Sequence, residues 1–65
     1  MTVNQLKPHI CIGFSRLPEK SYLHLNDIYE VDEITRNEVR LHLVNTGESI
    51  RQSLCHLRSS HMYLA

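Results

Sequence analysis

The side chains most able to do chemistry in this 65-residue chain are its histidines and cysteines. His9 and Cys11 lie near one end, and Cys55, His56 and His61 near the other. If the two ends met, imidazole and thiolate would supply a tetrahedral zinc site. The spacing argues against it, because no Cys-x2-Cys half accompanies the pair His56 and His61. No metal and no cofactor is therefore expected. Cys11 and Cys55 read instead as small buried apolar residues, and the histidines as half-exposed polar positions. Cys55 with His61 could form a nucleophile and base, but such a pair needs an orienting carboxylate and a pocket. Gly13 and Gly47 are the only glycines, so no glycine-rich phosphate loop exists. No catalytic residue is assigned, and the chain is not expected to be an enzyme.

Charged residues offer a second kind of chemistry. Seven Lys and Arg balance seven Asp and Glu, so the net field steers the chain toward neither nucleic acid nor anionic membrane. The charges nonetheless segregate along the chain. Residues 1–26 sum to plus two, residues 27–38 to minus four and residues 39–65 to plus two. The acidic middle holds Asp27, Glu30, Asp32 and Glu33 beside the aromatics Tyr22 and Tyr29. A charge patch of this kind complements a basic surface and speeds association. On the bland reading, the same acids protect a sheet edge from aggregation. The basic alternative is Arg40, Arg51 and Arg58 with Lys20, using Phe14, Tyr22, Tyr29 or Tyr63 as stacking platforms for a nucleic acid. A neutral chain lacks the basic footprint that such binding normally shows.

The elements that must position these residues are short. Ile10, Ile12 and Phe14 alternate after Pro8, which predicts a strand around 9–14. Ser15 to Ser21 reads as a loop turning at Pro18. Tyr22 to Leu25 reads as extended backbone or as the arm of that loop. Over 27–34, Tyr29 and Val31 share one side and Ile34 falls out of phase, as a bulge near Asp32 or Glu33 would produce.

Thr35-Arg36-Asn37 predicts a three-residue hairpin loop with Asn37 in the left-handed region. The strand 38–45 follows, with Val39, Leu41 and Leu43 facing the core together with Ile10, Ile12 and Val31, and Arg40 and His42 facing solvent. Asn45-Thr46-Gly47 predicts a second such loop with positive φ at Gly47. Residues 49–55 read as a further strand, although Ser49 and Gln52 match a capping box and Ile50, Leu54 and Leu57 fall at helical spacing. Residues 61–65 close the sheet, with Met62 and Leu64 in phase.

Five short strands with a long loop after the first resemble the small SH3-like barrel, in which partial closure removes most exposed edges. The expected fold is therefore mainly β, a five-stranded SH3-like barrel or meander forming a single small domain over 1–65. The alternative is α+β with a C-terminal helix at about 49–58. A chain this short buries only about 60% of its unfolded surface, which leaves little room for an enclosed active site.

No secretory signal precedes Ile10-Cys11-Ile12-Gly13-Phe14, and no apolar run is long enough to span a bilayer, so a cytoplasmic protein with free thiols is expected. In size and style the chain resembles the accessory proteins that phages and mobile elements direct against host machinery. The functional expectation is a non-enzymatic protein-binding module, an inhibitor or regulator, that contacts its partner through Tyr22, Asp27, Tyr29, Glu30, Asp32 and Glu33. The alternative expectation is a nucleic-acid-binding barrel using Arg40, Arg51 and Arg58.

Overall fold

The computed structural model describes residues 1–65 in full. Five antiparallel strands form one open sheet: β1 (Cys11–Arg16), β2 (Tyr29–Ile34), β3 (Glu38–Leu43), β4 (Ser49–Ser53) and β5 (His61–Leu64). Their spatial order is β4-β3-β2-β1-β5. The first four strands meander, and the last returns to pair with the first. A 3-10 turn (Val3–Gln5) precedes β1, and one helical turn, α1 (Leu54–Leu57), joins β4 to β5.

Alternation decides the two faces of the sheet. Ile12, Phe14, Tyr29, Val31, Val39, Leu41, Leu43 and Met62 point inward and are buried, and Leu6, Leu23 and Leu57 complete the core from outside the strands. The β2–β3 pairing shows why the phase break near Asp32 is needed. Ile34 pairs with Val39 and Glu33 with Arg40, yet Val31 pairs with Leu41 and Tyr29 with Leu43. One extra residue, Asp32, is absorbed by a bulge between Val31 and Glu33. Without it, Glu30 and Asp32 would turn into the core and Tyr29 and Val31 to solvent, because a one-residue slip reverses every side chain.

Two loops differ from the sequence expectation. Asn37 does not adopt the left-handed conformation, since His9 (φ 74°) and Lys20 (φ 52°) are the non-glycine residues with positive φ. The β2–β3 turn is tighter than three residues: the Thr35 N–H donates to the Glu38 carbonyl at 2.9 Å. The Thr35 hydroxyl in turn accepts the Glu38 N–H at 3.1 Å, so a side chain does what a left-handed residue would have done. Gly47 does have positive φ, 78°. Its loop begins earlier than Asn45, because the Gly47 N–H reaches back to the Leu43 carbonyl at 2.7 Å.

Residues 49–57 combine the two patterns that competed there. Ser49–Ser53 is strand, with Ser49 opposite His42, so neither the Ser49 capping box nor a helix over 49–58 forms. Helical spacing takes over at Leu54, where a single turn points Leu54 and the fully buried Leu57 at the core. Gln52 faces inward opposite Val39 and is buried, which explains why neither period was clean.

The first strand starts at Cys11 rather than His9, because the chain turns through Pro8 and a left-handed His9, and Ile10 is half-buried ahead of it. Tyr22 to Leu25 forms no strand; Leu23 anchors the long β1–β2 loop in the core, while Tyr22 and Leu25 stay exposed.

Candidate functional site

The outer face of the sheet collects the polar chemistry. Strand register puts Cys11, Glu30, His42 and Ser49 in one row across β1, β2, β3 and β4. A second row runs from Glu33 through Arg40 to Arg51. The bulge keeps Asp32 on this face as well, beside His42. The His42 Nδ1–H donates to Asp32 Oδ1 at 2.7 Å, and both side chains are about a quarter exposed (27% and 25%). A carboxylate that only accepts fixes the imidazole proton on Nδ1 and leaves Nε2 facing Glu30, whose Oε1 lies 3.9 Å away. The other Glu30 oxygen faces His9 Nδ1, also at 3.9 Å. Glu30, Asp32 and His42 are thus a half-buried group whose ligand atoms lie within 4.8 Å of one another.

The second row is more exposed. Arg40 Nη2 meets Glu33 Oε2 at 3.4 Å, with 44% and 58% of the two side chains exposed, so the pair contributes little. Arg51 stands directly opposite Arg40, a like-charge pair of the kind that costs stability. Glu33, Arg40 and Arg51 line one shallow recess with Thr35, Glu38 and Val39.

Of the acidic-segment residues named from the sequence, Glu30, Asp32 and Glu33 share this face. Asp27 is half-buried at the end of the β1–β2 loop, and Tyr22 on that loop is 85% exposed. Tyr29 is a correction. It is completely buried and packs edge-on against Phe14, ring centroids 5.8 Å apart, so neither ring is available to a partner or a nucleobase. Its hydroxyl instead accepts the His24 N–H at 2.9 Å and holds the long loop down. Burial raises the Tyr29 phenol above its ordinary value, with Asp27 and Glu48 pushing the same way and the His24 bond opposing. Its parity with Val31 already placed Tyr29 among core residues.

The basic trio is divided: Arg40 and Arg51 are neighbours, but Arg58 lines a separate recess with Met1, Thr2, Ser60 and Met62. The terminal Cys and His residues are not gathered as a ligand group, since Cys55 is exposed on α1 and neither Cys55, His56 nor His61 belongs to the Glu30–Asp32–His42 group. Cys11 is half-buried and Cys55 exposed, so the reading of both as buried apolar residues does not hold.

The chain matches no protein-family model, no curated protein and no solved structure. No helix is long and apolar enough to cross a membrane. Geometry is therefore the ground for any reading of function. Sequence reasoning weighed His9 only as a zinc ligand with Cys11 and placed His42 on the solvent face, but it joined neither to Glu30. Their signal exists only in strand register, because His42 meets Glu30 across two strands and one bulge.

Proposed function

We propose that this chain is a non-enzymatic protein-binding module of SH3-like form, acting in the cytoplasm as an inhibitor or regulator of a partner with a basic surface. What supports the SH3-like form is the return of β5 to the side of β1, the long β1–β2 loop and the single helical turn before the last strand. The observation that carries the binding reading is an acidic strand face on a chain that also exposes an apolar loop. Glu30, Asp32 and Glu33 project from the outer side of β2, and the loop leading into that strand exposes Tyr22 and Leu25. An exposed aromatic anchor and a charged surface suit a protein partner, with the ring supplying contact area and the charges setting approach and register. Asp27 lies between the two in the sequence.

A nucleic-acid reading has one observation in its favour, the adjacent Arg40 and Arg51. Of its four candidate stacking rings Phe14 and Tyr29 are buried while Tyr22 and Tyr63 are exposed, and Arg58 lies apart from the arginine pair. Affinity purification from the native host, with and without nuclease, separates the readings. A protein retained after nuclease treatment supports the module, whereas release of all bound material by nuclease contradicts it.

A further inference from the structure

We propose that the open edge of β4 captures an extended segment of a partner protein, which pairs antiparallel with Ser49–Ser53 and sets an Asp or Glu opposite Arg51. This inference goes beyond the acidic-face reading. It uses another strand, the opposite charge and main-chain hydrogen bonds, so each surface is tested without the other.

The ladder shows which backbone groups of β4 are free. The Leu43 N–H donates to the Glu48 carbonyl and the Leu54 N–H to the Asn37 carbonyl, both at 2.9 Å. Antiparallel pairs alternate between bonded and non-bonded. Leu41 with Ile50 and Val39 with Gln52 are therefore the bonded pairs, and the N–H and C=O groups of Ser49, Arg51 and Ser53 point away from β3. No turn or loop bond takes them up. The opposite edge is partly covered, because the Met1 nitrogen donates to the Met62 carbonyl on β5 at 2.9 Å. The β3–β4 register also runs without a bulge, unlike β1–β5 and β2–β3, so β4 is a regular template for a further strand.

Side chains define what that template accepts. Arg51 is exposed and makes no ion pair, while its neighbour Arg40 is taken by Glu33 at 3.4 Å. Glu33 and Glu38 belong to β2 and β3, so a carboxylate on the open side offsets the like-charge pair of Arg40 and Arg51 from the side that has none. On the inner face, Ile50 is half-buried against the core and gains cover from an apolar residue opposite it. Gln52 on the same face is 8% exposed, and its side chain makes no hydrogen bond within the chain. A hydroxyl or amide opposite Gln52 supplies that partner. A second copy of this chain centred on Arg51 would set two arginines against each other, which favours an acidic segment as the occupant.

The test is NMR titration of the full chain with the end-blocked peptide Thr-Thr-Glu-Val-Thr-Lys, whose Glu falls opposite Arg51, Val opposite Ile50 and Lys opposite Glu48. The Ser49, Arg51 and Ser53 amides should shift saturably and exchange more slowly with solvent, whereas the Ile50 and Gln52 amides are protected from the start. Replacing the Glu of the peptide by Lys should weaken binding about two- to fivefold, and Arg51→Glu should reverse that preference. Ser53→Pro removes an outward N–H where φ is already −64°, so it should keep the fold and weaken binding of both peptides. Glu30→Gln should bind as the unaltered chain does, which separates this edge from the acidic face. Should Arg51→Glu fail to fold, the comparison of the two peptides on the unaltered chain decides the matter. Unmoved β4 amides, shifts confined to another strand, or equal binding of the two peptides would overturn the proposal. So would β4 shifts that follow protein concentration without peptide, which mark a second copy as the occupant.

Discussion

Gly47 and Tyr29 show how single residues fix this fold. At Gly47, φ is 78° and nothing stands within 4 Å of where a Cβ would lie, so alanine there meets no clash and pays only for the backbone. Gly47→Ala is expected to lower stability by about 1 kcal/mol in urea unfolding, and an unchanged midpoint would count against the left-handed turn. Tyr29 links the core to the long loop through its hydroxyl.

Because the Tyr29 phenol is raised above its ordinary value of 10.0 in the folded chain, its contribution is whole below that pH and is lost as pH rises through the folded-state value. Alkaline titration of stability should therefore show a loss that Tyr29→Phe removes. At neutral pH the same variant should cost on the order of 1 kcal/mol, since the His24 N–H loses its acceptor. Equal alkaline slopes for the two chains would contradict this account of Tyr29.

At the scale of elements, the hairpins were legible and the junctions were not. Strict alternation over Val39, Leu41 and Leu43 identified β3 and its two faces, and the out-of-phase Ile34 identified the bulge, because both depend on the two-residue period alone. The Asn37 conformation was not legible, since the Thr35 hydroxyl offers the turn another way to satisfy the Glu38 N–H. Gln52 hid the end of β4, because a polar side chain on the inner face of an edge strand breaks the alternation without breaking the strand.

The Glu30–Asp32–His42 group was out of reach for a related reason. It requires the β2–β3 register, and the bulge shifts that register within the site itself. Register also makes an energetic statement at Arg51, which faces Arg40. Arg51→Glu turns a like-charge cross-strand pair into an opposite one and should raise stability by about 0.2–1 kcal/mol at low salt. A fall in stability would show that the two guanidinium groups do not repel across the sheet.

For the whole molecule, the segregation of charge along a neutral sequence becomes a spatial arrangement. Glu30, Asp32 and Glu33 of the acidic middle lie on β2 with their carboxylates on the outer face, and the flanking cations Arg40 and Arg51 lie on β3 and the edge strand β4, the others lying at the end of β1, in the β1–β2 loop and toward the termini. A protein partner steered by that face depends on carboxylates, whereas a nucleic acid depends on guanidinium groups and responds steeply to salt.

Because Asp32 is committed to His42, the informative substitutions are Glu30→Gln with Glu33→Gln, compared with Arg40→Gln with Arg51→Gln. The deciding measurement is the association rate of both double variants with the nuclease-resistant partner, at two salt concentrations. The glutamate pair should slow association while the arginine pair leaves it nearly unchanged; slowing by the arginine pair alone, or by neither, would contradict the assignment of the acidic face as the binding surface.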